Sequence, residues 1–291
     1  MYWTFIVNPT AGTGYAKKTM EHLESLLRSK GEEYRILLTE RAGHATELAA
    51  AAAEDKEAKA VVAVGGDGTV SEVAAGLRET GKAMGIIPAG TGNDFIKSVG
   101  IPNDPDKALD ILFSGKPKAT DTGTVNDRFF LNVCGTGFDV TVLDYAEKEK
   151  LRHRGLTPYL LGLIKAIAHY KSTQLHLTID GSETVEGKYL ICSIANGIYI
   201  GGGIPICPNA DPSDGKLELV QISHCPRWKI PFYLPGLMMK RDLKFRITKH
   251  QKVSKVLIKG EGLRFNIDGD IKGMDQAEFR IRPDTLLLIR P

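Results

Sequence analysis

The sequence predicts a two-domain protein, in which an α/β domain with a parallel sheet precedes a domain that is mainly an antiparallel β-sandwich. Three observations indicate this arrangement. The 291 residues suffice for about two domains. Short apolar strand patterns alternate with amphipathic helix patterns up to residue 121, as in a parallel sheet covered by helices. Beyond that residue, strand patterns separated by turn pairs such as Asp-Gly dominate, which is typical of antiparallel sheets.

The first domain is predicted over residues 1–121 as a Rossmann-like fold. Its strands are short apolar runs, because strands buried on both faces of a parallel sheet show no polar alternation. Its helices show apolar residues at helical spacing, and the last begins after a proline. In chain order the predicted elements are a strand at 5–7, a helix at 17–30, a strand at 34–38, a helix at 45–58, a strand at 60–64, a helix at 69–78, a strand at 84–87 and a helix at 106–113.

The second domain is predicted over residues 122–283. One helix, at residues 156–169, is expected to interrupt an otherwise β-rich segment. The predicted strands lie at 129–133, 174–179, 188–195, 216–221, 244–247, 255–258 and 264–267.

The composition excludes several classes of protein. Hydrophobic residues make up 42% and charged residues 25%, which excludes disordered and fibrous chains. The formal net charge of +3 gives no sign of a nucleic-acid partner. No apolar run approaches the ~18 residues of a membrane span, and the start lacks signal-peptide features, so a cytoplasmic protein is expected. The four cysteines are widely spaced, so we expect neither a zinc site nor disulfides.

Glycine-rich loops follow three predicted strands of the first domain. They read Asn-Pro-Thr-Ala-Gly-Thr-Gly at 8–14, Gly-Gly-Asp-Gly-Thr at 65–69 and Pro-Ala-Gly-Thr-Gly-Asn-Asp at 88–94. Ligands of open α/β sheets bind outside the carboxyl ends of the strands, where glycine lets the backbone approach an anion and helix N-termini offer N–H groups. The three loops therefore predict a site for nucleotide phosphates. Neither a Walker motif nor the dinucleotide fingerprint is present.

Two of these loops also contain a carboxylate, Asp67 and Asp94. A carboxylate would repel a phosphate unless a divalent cation bridges the two. We therefore predict that both aspartates serve a magnesium-dependent phosphate site. The alternative, that each aspartate caps the helix that follows it, stays open.

The Gly-Gly-Asp-Gly-Thr segment resembles the signature of the superfamily of diacylglycerol kinases, sphingosine kinases and NAD kinases. The resemblance covers essentially the whole chain and is closest to the bacterial soluble lipid kinases of the YegS-like branch. It rests further on Asn8-Pro9 with Ala11-Gly12, Thr39 with His44-Ala45, and Pro88-x-Gly90-Thr91-x-Asn93-Asp94-Phe95. The resemblance implies that residues 284–291 form a C-terminal strand that returns to the nucleotide domain.

The resemblance also implies an activity and a set of residues. The expected reaction transfers the γ-phosphoryl group of ATP, with Mg²⁺, to a lipid hydroxyl such as that of diacylglycerol, in the cleft between the domains. The residues that would bind the nucleotide are Asn8, Pro9, Thr10, Ala11, Gly12, Thr39, Gly65, Gly66, Asp67, Gly68, Thr69 and Thr91. A structural magnesium would be held by Asp211, Asp214 and the backbone carbonyl of Lys216. A polar β-turn is the alternative reading of that loop.

Near the C-terminus, the segment Asp268-Gly269-Asp270 matches an Asp-Gly-Glu element of the family. The third residue of that element accepts the proton of the substrate hydroxyl. Here it is Asp270, whose side chain is one methylene shorter than the usual glutamate, and Asp268 is the second candidate. Asp67 and Asp94 complete the expected catalytic set.

A lipid kinase must reach its substrate at a membrane, so we expect transient, peripheral association with a membrane surface. Residues 147–171 carry six basic residues against two acidic ones around an amphipathic helix. Residues 232–241 are a second candidate surface. Packing of the helix on the β domain is the alternative, and a homo-oligomer is left open. Two functional alternatives also remain: a kinase for a soluble alcohol or nucleotide, as NAD kinases are, and a non-catalytic nucleotide-binding regulator.

Overall fold

The computed structural model describes residues 1–150, 157–239 and 245–291, except for the side chains of Lys150 and Tyr159. The described chain divides into two compact units. The first unit comprises Met1–Thr122, Pro212–Asp214 and Arg282–Pro291. The second unit comprises Gly123–Asp211 and Gly215–Ile281.

The first unit is built on a parallel sheet with the strand order β4-β3-β1-β2. Its strands are β1 (Tyr2–Val7), β2 (Tyr34–Leu38), β3 (Ala58–Gly65) and β4 (Ala83–Pro88). Its helices are α1 (Ala11–Ser29), α2 (His44–Ala53), α3 (Asp67–Leu77), α4 (Asp94–Ser98) and α5 (Pro105–Ser114). In β3 every side chain except that of Lys59 is buried, which explains its continuous apolar sequence.

Local sequence explains where these helices begin and end. Asp104 caps α5, since its Oδ1 accepts hydrogen bonds from the backbone N–H groups of Asp106 at 3.0 Å and Lys107 at 3.2 Å. Helix α2 ends at Ala53, before the predicted residue 58, because β3 already begins at Ala58. Helix α4 was not predicted, since five residues are too few to show a helical period.

The second unit is mainly antiparallel, as predicted. Its strands pair in the order β14-β13-β7-β9-β8-β12-β15, β10 lies between β9 and β11, and β6 pairs with the end of β5. The strands are β6 (Arg128–Phe130), β7 (Val133–Gly137), β8 (Thr173–Ile179), β9 (Glu183–Ala195), β10 (Leu217–Ser223), β11 (Thr248–Val253), β12 (Lys255–Lys259), β13 (Arg264–Ile267), β14 (Asp270–Gly273), β15 (Gln276–Arg290) and the last three residues of β5 (Lys116–Val125), which begins in the first unit. Strand β15 continues into the first unit, where Leu287 and Leu288 pair in parallel with β4.

Two apolar clusters form the core of the second unit. One contains buried aromatic rings such as Phe130, Phe265 and Phe279. The other lies beneath helices and includes Phe138, which packs edge-to-face on Tyr170 at 5.5 Å between ring centroids. The four cysteines are buried, and none of them is disulfide-bonded within the part of the chain that the structure describes.

The second unit has more helices than the single one predicted. They are α6 (Phe138–Lys150), α7 (Thr157–His169), a 3₁₀ turn (Arg227–Lys229) and α8 (Ile230–Met238). Helix α8 was not predicted from the sequence because it contains two prolines. One lies in its first turn, and Pro235 lies in its interior. Helix α6 was not predicted because charged residues interrupt its apolar pattern. Helix α7 agrees with the predicted helix except for residue 156, which lies outside the described residues.

The strand predicted at 244–247 is wrong. Residue 244 lies outside the described residues, Arg246 and Ile247 form a turn, and the strand begins at Thr248. None of the helices in the described ranges combines the length and the apolar character that crossing a bilayer requires.

Candidate active site

A cavity of about 290 Å³ opens in the first unit beside the ends of β1 and β2 and the first turn of α3. It brings together five residues of the predicted nucleotide set: Asn8, Thr10, Thr39, Gly68 and Thr69. These residues are far apart in sequence, and they meet because the parallel strands end at the same edge of the sheet. The cavity is therefore placed where the sequence predicts a nucleotide.

The first glycine loop is held by its own asparagine. Asn8 Oδ1 accepts hydrogen bonds from the backbone N–H of Thr10 at 3.1 Å and from its hydroxyl at 2.9 Å. Gly12 then adopts a φ of +59°, and a Cβ at this position would lie 2.5 Å from the carbonyl oxygen of Ala89. Glycine is thus required here both for its conformation and for close contact with the third loop.

The second and third loops touch through backbone atoms. A Cβ at Gly90 would lie 2.3 Å from the Cα of Gly66 and 2.8 Å from Asn93 Oδ1. Asn93 holds the third loop closed, since its Oδ1 accepts from Gly90 N at 3.1 Å and its Nδ2 donates to Gly90 O at 3.0 Å. All three loops are consequently packed against one another at one edge of the sheet.

We expect Gly90→Ala to lower the melting temperature and weaken ATP binding, because the added methyl group would collide with the backbone of Gly66. Forced overpacking of this kind costs about 1–3 kcal/mol. The matched control for the melting temperature is Gly68→Ala, since a Cβ there meets nothing within 4 Å. Alanine is favoured over glycine in a helix, so this control should melt no lower than the wild type. A Gly90→Ala protein that melts and binds ATP like the wild type would show that the close approach is dispensable.

Asp67 links two of the loops. Its Oδ1 accepts hydrogen bonds from the backbone N–H of Asp94 at 2.6 Å and of Phe95 at 3.2 Å. Asp67 therefore caps α4, which begins 27 residues further along the chain. Asp94 is buried, and its Oδ1 forms an ion pair with Lys97 Nζ at 2.9 Å.

The other carboxylate oxygens of these two residues border one small space. A Cβ at Gly92 would lie 2.9 Å from Asp67 Oδ2 and 3.4 Å from Asp94 Oδ2. Two carboxylate oxygens at the edge of a phosphate loop suit magnesium, which is usually bound by one or two carboxylates together with water and phosphate oxygens. No group of three or more acidic, histidine or cysteine side chains that could hold a metal occurs among the described residues.

Three charged residues that line the cavity, Glu40, Arg41 and Glu72, were not predicted from the sequence. Glu72 lies on α3, and its carboxylate accepts from Gly43 N at 2.9 Å and from Ala45 N at 3.2 Å, which fixes the start of α2. Arg41 also lines the cavity, and its Nη2 donates to both carboxylate oxygens of Glu47, at 2.8 and 2.6 Å. The signal in the sequence was the position of Glu40 and Arg41 directly after Thr39.

The remaining predicted nucleotide residues lie in the same loops but do not line the cavity. Gly65 is buried against Thr69, and Thr91 is exposed at the tip of the third loop. The others of this set are Pro9, Ala11, Gly12, Gly66 and Asp67.

The Asp268-Gly269 pair forms the turn of the β13–β14 hairpin in the second unit, with both residues at positive φ. The Asp268 carboxylate accepts from the backbone N–H groups of Leu131 at 2.6 Å, Asn132 at 2.9 Å and Val133 at 3.1 Å. These three bonds give Asp268 a structural role that the sequence does not reveal. Asp270 begins β14 and is exposed.

The predicted structural-magnesium loop at 208–216 leads into β10. Asp211, Asp214 and Lys216 are all exposed, and Asp214 is grouped with the first unit whereas the other two belong to the second. The loop is anchored within the second unit by Glu218, which accepts from the backbone N–H of Asn209 at 2.8 Å and from its side chain at 3.0 Å.

Comparison with known proteins decides the family. Residues 2–125 match the family model described as the diacylglycerol kinase catalytic domain, and residues 132–290 match the YegS C-terminal NAD kinase beta sandwich-like domain. A diacylglycerol kinase of Mycobacterium tuberculosis is 31% identical over 294 residues, which cover 99% of this chain and 94% of the relative. The chain belongs to the diacylglycerol kinase family. It is therefore a kinase, and the predicted resemblance and fold class are confirmed.

Solved structures of the diacylglycerol kinase and NAD kinase families share the fold. A diacylglycerol kinase crystal structure from Bacillus anthracis has a TM-score of 0.73 at 21% identity, with 100% of this chain and 97% of that chain covered. An NAD kinase from Archaeoglobus fulgidus, solved in complex with ATP, has a TM-score of 0.55 at 14% identity, with 99% and 93% covered.

Proposed function

We propose that this kinase transfers the γ-phosphoryl group of ATP to the hydroxyl of a membrane lipid such as diacylglycerol. The observation that carries the proposal is the packing of three glycine loops around two carboxylates, Asp67 and Asp94, beside a cavity of about 290 Å³. The names of the relatives support a lipid acceptor, and the ATP complex of the NAD kinase structure supports ATP as the donor.

In this proposal the residues of the cavity bind and orient ATP. Asn8, Thr10 and Thr39 contact the nucleotide, and the N–H groups of the glycine loops bind its phosphates. Asp67 and Asp94 would hold magnesium, which supplies charge neutralisation at the phosphates when bound. We also propose the loop with Asp211, Asp214 and Lys216 as a second, structural magnesium site.

Asp270 acts at the acceptor. It takes the proton of the lipid hydroxyl as the oxygen bonds to the γ-phosphorus, and the bond from that phosphorus to ADP breaks. Asp268 does not compete for this role, because its carboxylate is engaged by three backbone N–H groups. Orientation and electrostatic stabilisation by the loops supply most of the rate in such a transfer.

The test is incubation with γ-labelled ATP, Mg²⁺ and mixed lipid vesicles, with a pool of soluble alcohols and nucleotides as a parallel acceptor. The expected label enters the organic phase. Label found only in a water-soluble product would instead favour a kinase for a soluble acceptor.

We further propose that the protein docks on the membrane through an apolar patch on the second unit. The patch comprises the exposed side chains of Leu160, Ile164, Trp228, Phe232, Met238 and Met239. Trp228 and Phe232 are in edge-to-face contact at 6.4 Å between ring centroids, so they expose one continuous apolar surface. Large exposed apolar surfaces often mark interaction sites, and Trp at such a position is typical of a membrane interface. Half-buried residues of α7 such as Leu163 and Ile167 pack on the core, in agreement with the alternative prediction for this helix. Only its exposed face, with Leu160 and Ile164, belongs to the proposed patch.

Arg227 attaches the segment that carries Trp228 to α7. Its Nε donates to the carbonyl of Tyr170 at 2.8 Å and its guanidinium donates to Ala168 O at 2.9 Å, which fixes the 3₁₀ turn to the end of α7. Lys229 lies over the Trp228 ring at 5.2 Å and adds positive charge. Of the basic residues predicted to face the membrane, Arg152, Arg154, Lys240 and Arg241 lie outside the described residues, and the Lys150 side chain is not described.

We expect the double variant Trp228→Ser/Phe232→Ser to bind anionic vesicles at least about tenfold more weakly in a sedimentation assay. Full burial of each such side chain is worth about 1.5–3 kcal/mol, so partial burial of two suffices for this change. The matched control is Leu38→Ser, which removes a comparably exposed apolar side chain from the first unit. Equal vesicle binding by both variants would refute docking through this patch.

A further inference from the structure

A buried carboxylate on α6 lies next to the hairpin that carries Asp270. Asp139 is the second residue of α6 and is only 8% exposed. The neighbouring strands place Asn266, Gly135 and Ser193 side by side on β13, β7 and β9. A Cβ at Gly135 would lie 2.6 Å from Asp139 Oδ2 and 3.1 Å from Ser193 Oγ. Glycine on the middle strand thus makes room for the carboxylate between its two neighbours.

Asn266 connects this carboxylate to the hairpin turn. Burial raises the pKa of Asp139 to about 6, and a hydrogen bond with the Asn266 side chain offsets part of this increase. On its other side, Asn266 Oδ1 accepts the backbone N–H of Gly269 at 2.8 Å. Because the amide oxygen of Asn266 faces Gly269, the NH₂ group of Asn266 is the donor to the Asp139 carboxylate. The contacts run from Asp139 through Asn266 to Gly269, which immediately precedes Asp270.

The arrangement is costly for folding, which calls for a functional reason. Asp139 Oδ1 and Ser193 Oγ are both buried without a hydrogen-bond partner among the described residues. With a pKa near 6 the Asp139 carboxyl is mostly ionised at neutral pH, and burying a charge costs folding free energy. An apolar side chain would fill the space over Gly135 without either penalty.

We propose that Asp139 is a positioning residue that orients Asn266 and, through it, the Asp268-Gly269 turn that presents Asp270 to the substrate hydroxyl. This inference rests on the proposed function of Asp270. The turn is held on two sides, by the three N–H bonds of Asp268 and by the bond of Asn266 to Gly269. Asp139 secures the second of these attachments.

The test compares Asp139→Leu, Asp139→Asn and Ser193→Ala in two measurements. Asp139→Leu removes the acceptor, so kcat should fall on the order of 100-fold, as for a misplaced catalytic group, with KM for ATP unchanged. Amide hydrogen exchange at Gly269 should be about fivefold faster or more, the weight of one hydrogen bond. Asp139→Asn keeps an oxygen acceptor, so its kcat and its hydrogen exchange at Gly269 should stay close to those of the wild type. Ser193→Ala, which removes the buried hydroxyl on the other side of Gly135, should change neither.

Hydrogen exchange keeps this inference separate from the proposed function. If wild-type protein phosphorylates no acceptor, the proposed function fails, whereas exchange at Gly269 still reports on positioning. Asn266→Ala tests the same link from its other end and should also speed that exchange, even if Asp139→Leu does not fold. If hydrogen exchange at Gly269 is unchanged in Asp139→Leu, the positioning role is wrong. If Asp139→Leu does not fold, unchanged exchange in Asn266→Ala leads to the same conclusion.

Discussion

Replacing Asp270 by alanine is expected to lower kcat for lipid phosphorylation by about 10²–10⁴-fold, the usual contribution of a general base. Affinity for ATP should not change, because the residues that line the nucleotide cavity belong to the first unit and Asp270 to the second. Steady-state kinetics on lipid vesicles, combined with calorimetry of ATP binding, separate these two quantities. The fold should be unaffected, since Asp270 is exposed at the start of a short edge strand.

Two further variants sharpen this prediction. Asp270→Glu restores the side-chain length usual in the family and should remain active, since the carboxylate is retained. Glu261→Ala removes another exposed carboxylate from a turn of the second unit and should leave kcat unchanged. If Asp270→Ala were as active as Glu261→Ala, Asp270 would not be the proton acceptor.

Replacing Asp67 by asparagine is expected to lower kcat for the transfer by about 10²–10³-fold while leaving the protein stable. An asparagine side-chain oxygen can still accept the N–H groups of Asp94 and Phe95, so the cap on α4 survives. The negative charge facing Gly92 is lost, and removing a single electrostatic contact of this kind typically costs about 10²–10³-fold in kcat. The measurements are kcat at saturating magnesium and the melting temperature.

Asp67→Ala serves as the comparison, because it removes both the cap and the charge. Loss of a helix cap costs about 1 kcal/mol, which lowers the melting temperature by roughly 2–4 °C for a chain of this size class. Activity should fall in both variants, and stability only in Asp67→Ala. An active Asp67→Asn enzyme would mean that Asp67 acts as a cap alone.

Local patterns in the sequence were sufficient to predict much of the fold. The strands at 34–38 and 264–267 have the predicted bounds, because apolar residues mark the first and an alternation of polar and apolar residues marks the second. The glycine loops were found for the same reason, since each directly follows a buried strand. Helix α8 was missed because two prolines within an apolar run argue against a helix unless tertiary packing supports it.

What the sequence could not predict depends on pairs of residues that are distant along the chain. The cap that Asp67 provides for α4 and the attachment of Glu72 to α2 arise only when the loops pack together. The contact of Asp139 with Asn266 depends on the register that places Asn266 opposite Gly135. A one-residue shift in that register would move Asn266 to the other face of the sheet.

The central claim is that this kinase phosphorylates a lipid hydroxyl with the γ-phosphoryl group of ATP. Mass spectrometry of a lipid extract incubated with the enzyme, Mg²⁺ and ATP with heavy oxygen in its γ-phosphoryl group tests this claim most directly. We predict a new lipid phosphomonoester that carries the heavy oxygen and is much less abundant with Asp67→Asn. An extract without any labelled phospholipid, together with heavy phosphate in a water-soluble product, would contradict it.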